Sequence, residues 1–218
     1  MVDMHQPSPP APRKLPKQSR SLILVKSIQQ ACLQILREEG ADSLTTQRIA
    51  DVAGVNIASL YQYFPNKEAI LAQVFEEQIE RYIESARDKI FEIDRLSRTD
   101  FTATLCAIAD MELDQRLLLY RMEPDFYSTY QQSLDIHARV DELTVSMNNP
   151  SWGEWFNDFL AMHLRDVPGE ELATLGKLAT HALSGALDSV VRSEPELLEN
   201  DDFRLGLHRL LLNFFGAR

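Results

Sequence analysis

Residues Thr45 to Lys67 read TTQRIADVAGVNIASLYQYFPNK and set hydroxyls, carboxamides and an ammonium group on positions that an apolar helix face leaves outside. Thr46, Ser59, Tyr61 and Tyr63 carry hydroxyls, Gln47 and Gln62 carry amides, and Lys67 a positive charge. Hydroxyls, ammonium groups and the unpaired N–H groups of a helix N-terminus bind phosphate oxygens, while a Gln amide pairs with N6 and N7 of adenine in the major groove. This is the chemistry of gripping and reading duplex DNA. Catalysis has less to stand on. Asp110, Glu112 and Asp114, with scattered histidines, offer acid and base groups. No Gly-rich phosphate loop, nucleophile elbow, HExxH or CxxC accompanies them. His137, His163, His181 and His208 lack ligand spacing and read as surface or satisfied core, and His5 sits in the N-terminal tail. No metal or cofactor is expected. A helical enzyme, or a dimerisation adaptor that ignores DNA, stays as the rival reading.

Such side chains read DNA only when helices hold them. From Ser21 onward Val25, Ile28, Cys32, Ile35 and Leu36 recur at three and four residues, which predicts a first helix stopped at Gly40. Leu44 and Ile49 bracket a short second helix whose start is marked by Thr45 and Thr46. Ala50 and Ala53 let a crossing helix come close, and Gly54 takes the positive φ of a sharp turn. Asn56 then caps a third helix, in which Leu60 and Phe64 face inward and Ile57, Ala58, Ser59, Tyr61, Gln62 and Tyr63 stay outside. Pro65 ends it. Asn66 starts a long helix from about Lys67 to Phe91, buried along Leu71, Val74, Phe75, Tyr82, Ala86 and Ile90. Breaks fall around Leu96–Thr99, at Pro124, at Asn148–Pro150 and at Pro168–Gly169, with no strand-like alternation of useful length.

Two late segments predict self-association. Residues 170–193 carry one stripe at Leu172, Leu175, Ala179, Ala182 and Ala186 and another at Leu183, Leu187, Val190 and Val191, so this helix needs two partners. Residues 202–215 set Phe203, Leu207, Leu210, Leu211 and Phe214 at heptad-like spacing, and Gly185 with Ser184 and Ala186 permits close approach. A four-helix interface between two copies is expected; packing of both faces within one chain is the alternative.

The net charge of −11 over 218 residues is unevenly spread. Residues 1–67 hold eight Lys or Arg against five Asp or Glu, while residues 68–218 hold fourteen against twenty-eight. The basic end can approach phosphate and the acidic end is held away from it. Residues 1–20 hold five of the ten prolines and Arg13, Lys14, Lys17 and Arg20, which predicts a flexible basic arm. It either follows a DNA groove, as homeodomain arms do, or is a disordered tail. Cys32 and Cys106 lie in apolar helical segments and read as core thiols in a reducing compartment. No membrane span or signal peptide is evident, so the cytoplasm is expected.

The stretch TTQRIADVAGVNIASLYQYFPNKEAIL resembles the TetR family of bacterial transcriptional regulators, through its IA-x-x-AGV core, LY-x-YF ending and N-K-E helix start. The resemblance runs from about Ser21 to Phe75, and beyond that only the layout is similar. It implies an all-α fold of about nine to ten helices, in which a three-helix helix-turn-helix domain (21–67) follows the arm (1–20). A long helix joins it to a ligand-binding and dimerisation domain (68–218). It further implies a homodimer that binds a palindromic DNA operator and is released by a small-molecule effector, with activation or effector-free action as variants, and no enzyme.

Carried over, Thr46 and Gln47 approach DNA, the first by phosphate contact, Lys67 meets phosphate, Tyr61 and Tyr63 touch phosphates, Gln62 points to bases, and Ile57, Ala58 and Ser59, after Asn56, open the recognition helix. Asn56 and Ile57 depart from the usual Ser or Thr and polar residue, so Ile57 reads a thymine methyl or packs. For the effector, Tyr120, Met122, Phe126, Tyr127, Tyr130, Trp152, Trp155, Phe156 and Met162 supply aromatic and thioether surface suited to an apolar pocket, with plain core as the alternative for each. Glu123 and Asp125 hint at a cation.

Overall fold

The computed structural model describes residues 7–134, 136–146 and 149–216. Among these residues the chain forms ten α-helices, three short 3-10 turns and no strand. They are α1 Ser19–Glu38, α2 Thr46–Ala53, α3 Ile57–Tyr63, α4 Lys67–Ser97, α5 Phe101–Met122, α6 Pro124–Tyr130, α7 Ile136–Ser146, α8 Trp152–His163, α9 Gly169–Ser193 and α10 Asp201–Phe214. The all-α class is as expected. None of the described helices is long and apolar enough to cross a membrane. Two compact units divide the chain, one of residues up to 81 together with 119–134, the other of 82–118 together with those from 135 onward. The division therefore falls inside α4 instead of at residue 67, and it joins 119–134 to the helix-turn-helix.

In the first unit the three- and four-residue spacing builds one core. Ile28, Cys32, Ile35, Leu44, Ile49, Leu60, Phe64, Ile70 and Val74 keep at most 1% of their surface. Burying side chains of this size contributes roughly 1.5–3 kcal/mol each before conformational entropy is subtracted. Leu36 is only half-buried, and Ala31 and Leu33 complete the α1 face in its place. Phe75 on α4 packs on Phe126 and Tyr127 of α6, at ring separations of 4.7 and 6.2 Å. Burial lifts the Cys32 thiol to about 12, helped by nearby Glu123, so it is an inert core group.

In the second unit α4 runs on past Phe91 to Ser97, six residues beyond its expected end, because Ile93 continues the buried face and is 2% exposed. At 31 residues the helix is ~46 Å long. Asp100 then starts α5, its carboxylate accepting from the Ala103 N–H at 2.8 Å. Further on, Ser151 and Glu154 cap α8 reciprocally. Asn148, expected within the break before α8, lies outside the described residues, as does His5. α8 and α9 approach closely at Gly176, where an added Cβ would lie 3.1 Å from Asn157 Oδ1 and 3.3 Å from Leu160 Cδ1.

Arg116, 4% exposed, ties α5 to α9 within this unit. Its guanidinium donates to Glu112 Oε2 at 2.7 Å, to Asp188 Oδ1 at 3.1 Å and to Ser184 Oγ at 3.0 Å. His137 Nε2 of α7 lies 3.3 Å from the same Glu112 oxygen. Burial alone would raise the Glu112 carboxyl, but hydrogen bonds and positive charge from His137 and Arg116 bring it down to about 2.

Candidate nucleic-acid interface and apolar cavity

The candidate DNA face is assembled by caps and a glycine turn. The Thr45 hydroxyl accepts from the Arg48 N–H at 3.1 Å and so caps α2. Gly54 sits at φ 66°, with Val55 N–H bonded to Ala50 O at 3.0 Å and Gly54 N–H to Asp51 O at 3.2 Å. These two bonds close a left-handed helix stop that an L side chain strains. Asn56 Oδ1 accepts from Ala58 N–H at 2.8 Å and caps α3. Leu60 and Phe64 are then locked inward, at 0% and 1% exposure, and the opposite face is left to water.

On that face Thr46 Oγ1 and the Tyr61 hydroxyl meet at 3.0 Å, joining the start of α2 to α3. Gln62 and Ala58 are exposed, while Ile57, Ser59, Tyr63 and Lys67 are half-buried at the rim. The Gln62 amide has no hydrogen-bond partner among the described residues and is available to a base edge. Gln47 and Asn56 are partly committed: Gln47 Nε2 donates to Asp51 Oδ1 at 2.9 Å, and Asn56 holds its cap.

Two basic residues of this unit are held by contacts that leave no local signal in the chain. Arg48 is gripped by Glu39 through both carboxylate oxygens, at 2.6 and 3.0 Å, and this lowers the Glu39 carboxyl. Arg13 reaches the carbonyls of Tyr61 and Tyr63 at the end of α3. Local spacing carries no sign of a contact 48 residues away.

In the second unit a cavity of about 410 Å³ is lined by Trp152, Trp155, Phe159, Met111, Met162 and Ile90, with the carboxylates of Asp94 and Asp158 and the guanidinium of Arg98 among them. Trp155 Nε1 donates to Asp94 Oδ1 at 2.9 Å, and Arg98 Nη2 lies 3.1 Å from Asp94 Oδ2. The expected pocket set therefore divides. Trp152, Trp155 and Met162 line the cavity, and Phe156 backs it, stacked 6.1 Å from Trp152. Tyr120, Met122, Phe126, Tyr127 and Tyr130 belong to the first unit, where Phe126 and Tyr127 are buried core. Glu123 is buried as the cap of α6, and Asp125 is exposed.

The carboxylates weighed as acid or base groups are held in ion pairs. Asp110 takes Arg204 at 2.8 Å and His208 at 2.9 Å, and Asp114 takes Arg204 at 2.7 Å and Lys89 at 3.2 Å. His163 Nε2 lies 2.6 Å from Ser97 O, between Phe101 and Phe159. Of the residues expected to pair with a second copy, Ala179, Leu207 and Leu211 are buried in their own chain. Leu175, Ala186 and Phe203 are half-buried, and Ala182, Gly185, Leu210 and Phe214 are exposed. Leu178 and Leu205, at 52% and 49% exposure, add to the uncovered apolar surface of α9 and α10.

Residues 28–74 match the family described as bacterial regulatory proteins, tetR family. The chain is 35% identical over 85 residues to the nucleoid occlusion factor SlmA of Haemophilus ducreyi, covering 35% of this chain and 39% of that protein. It is 36% identical over 62 residues to the fatty acid metabolism regulator protein of Bacillus subtilis, covering 28% and 32%. The matched part thus spans about two fifths or less of these relatives. Among solved structures, the fatty acid degradation regulator FadR of Bacillus halodurans is similar over 94% of this chain and 100% of its own, at 20% identity and a TM-score of 0.49. A TetR-family transcriptional regulator from Streptomyces coelicolor is similar over 88% and 98%, at 24% identity and a TM-score of 0.44.

Proposed function

We propose that this chain, whose residues 28–74 match the family of bacterial regulatory proteins, tetR family, is a transcriptional regulator of that family and a ligand-responsive homodimeric repressor. One α3 per subunit enters successive major grooves of a palindromic operator, with centres ~34–36 Å apart. The observation that carries this is the α3 face itself: Leu60 and Phe64 buried beneath, Tyr61 and Gln62 exposed above, and Thr46 tied to Tyr61. Tyr61, Tyr63, Thr46 and Lys67 take phosphates, Gln62 takes a base, and Ile57 and Ala58 offer apolar contact to a thymine methyl. Dimerisation uses the uncovered faces of α9 and α10, through Leu178, Ala182, Gly185, Leu210 and Phe214.

The effector occupies the cavity walled by Trp152 and Trp155, and its chemistry is that of a lipophilic cation. Indole faces attract cations, two carboxylates stand against one guanidinium in the lining, and the unit is strongly acidic overall. By population shift the cation must bind the DNA-incompetent state better, by a coupling of ~1–3 kcal/mol.

Anisotropy titrations on duplex fragments of the source chromosome test the regulator. Lys67→Ala is expected to weaken binding on every sequence, and Gln62→Ala to relax one operator position by ~1–3 kcal/mol. A protein that binds no duplex at low salt overturns the reading. Calorimetry with tetraphenylphosphonium and tetraphenylborate, ions of one shape and opposite charge, tests the effector. Binding of the cation with loss of operator affinity is expected. Preference for the anion, or cation binding that leaves operator affinity unchanged, refutes it.

A further inference from the structure

The segment ahead of α1 is anchored on α3 by Arg13 and free at Lys14 and Lys17. Residues 7–18 are non-helical and hold all five prolines of the N-terminal region, Pro7, Pro9, Pro10, Pro12 and Pro16, each with φ preset by its ring. Two separate contacts place the segment on the first unit. Ser133 Oγ donates to Pro7 O at 2.9 Å. Arg13 N–H donates to Tyr63 O at 2.7 Å, and Arg13 Nη1 to Tyr61 O at 3.3 Å. Tyr61 and Tyr63 end α3, where backbone carbonyls lack helical partners and carry the negative end of the helix dipole. Arg13 therefore closes the C-terminal end of the helix whose exposed face carries Gln62.

Past this anchor the cations stand unpaired. Lys14, Lys17 and Arg20 are exposed and take no hydrogen bond or ion pair among the described residues. No acidic residue occurs between Asp3 and Glu38, while Arg13, Lys14, Lys17, Arg20, Lys26 and Arg37 all do. Arg13, Lys14, Lys17 and Arg20 fall within eight residues that hold no carboxylate, and such a run is drawn to a phosphate backbone. A non-helical, proline-stiffened segment is also slim enough for a minor groove ~6 Å wide, and its rings reduce the conformational freedom lost on entering it.

We propose that residues 13–20 form a second DNA-binding element, with Arg13 holding the strand at the end of α3 and Lys14 and Lys17 set into the minor groove and its phosphates flanking the half-site. This rests on α3 being the recognition helix. The flank then contributes affinity that depends on groove width, which is narrowest in A·T tracts.

The test compares the parent chain with a Lys14→Ala, Lys17→Ala double variant on one operator across a salt series, with hydroxyl-radical footprinting of both complexes. The double variant is expected to bind 10- to 100-fold more weakly at low salt. Four lysines lost per dimer should make the slope of log affinity against log salt shallower by ~2–4, at about 0.9 per phosphate contact. Its footprint should lose minor-groove protection beside each half-site and keep the central protection. Gln62→Ala is the control, expected to lose sequence preference at an unchanged slope. Unaltered slope and flank protection in the double variant, with the parent bound, overturns the arm alone. A parent that binds no duplex overturns the recognition helix as well.

Discussion

Arg116 shows how much one residue can organise. It is 4% exposed and satisfied from α5 and α9 at once, by Glu112, Asp188 and Ser184. Removing one partner of a buried ionic group leaves the others uncompensated, which typically costs about 3–5 kcal/mol. Arg116→Met is therefore expected to lower stability by about that much in urea unfolding, although Met fills similar apolar space. A loss under 1 kcal/mol in that measurement would mean that His137 and other neighbours already compensate Glu112 and Asp188. Only the Glu112–Arg116 pair, four positions apart on α5, is local; the tie to α9 is not legible in the sequence, because Arg116 and Asp188 stand 72 positions apart. The residues around the turn read far better. The Asn56 cap and the Gly54 turn are each encoded within four positions of what they bond, and the four-residue spacing of Leu60 and Phe64 puts both on one buried face.

The same contrast between local and distant holds for elements. Periodicity found the helices, since an apolar face repeats every three or four residues whatever lies against it. It could not say what lies against it. Phe126 and Tyr127 look as suited to a pocket as Trp152 and Trp155, yet the first pair is core beneath Phe75 and the second lines a cavity. On α9, Gly176 makes the close approach inside the chain, whereas Gly185 is exposed and an added Cβ there meets nothing within 4 Å. Gly185→Leu should accordingly leave the helical circular dichroism of the chain unchanged, since leucine favours helix over glycine by about 0.5–1 kcal/mol. In gel filtration it should shift the protein from dimer to monomer. A variant that elutes unchanged would exclude α9 from the proposed interface.

Over the whole molecule, charge and acid stability follow from the carboxylates. Glu112 is held at about 2, and Asp114 is lowered too, through Arg204 and Lys89 against the opposing effect of burial. A carboxylate depressed in the folded state stabilises above its unfolded value of about 4.3, or 3.9 for Asp, and that contribution is lost as pH falls through the folded value. Thermal scans should accordingly show a melting temperature falling from pH 5 toward pH 2, and Glu112→Gln should flatten that acid limb. An equally steep limb in the variant would assign it to other carboxylates.

The chain contains two tryptophans, and both stand in the wall of one cavity with ring centres 5.1 Å apart. Light absorbed at the red edge of the indole band therefore enters this protein at a single place, and the helix-turn-helix stays dark. The intrinsic emission is a built-in gauge of that chamber's polarity and occupancy, readable without any label while operator DNA is present.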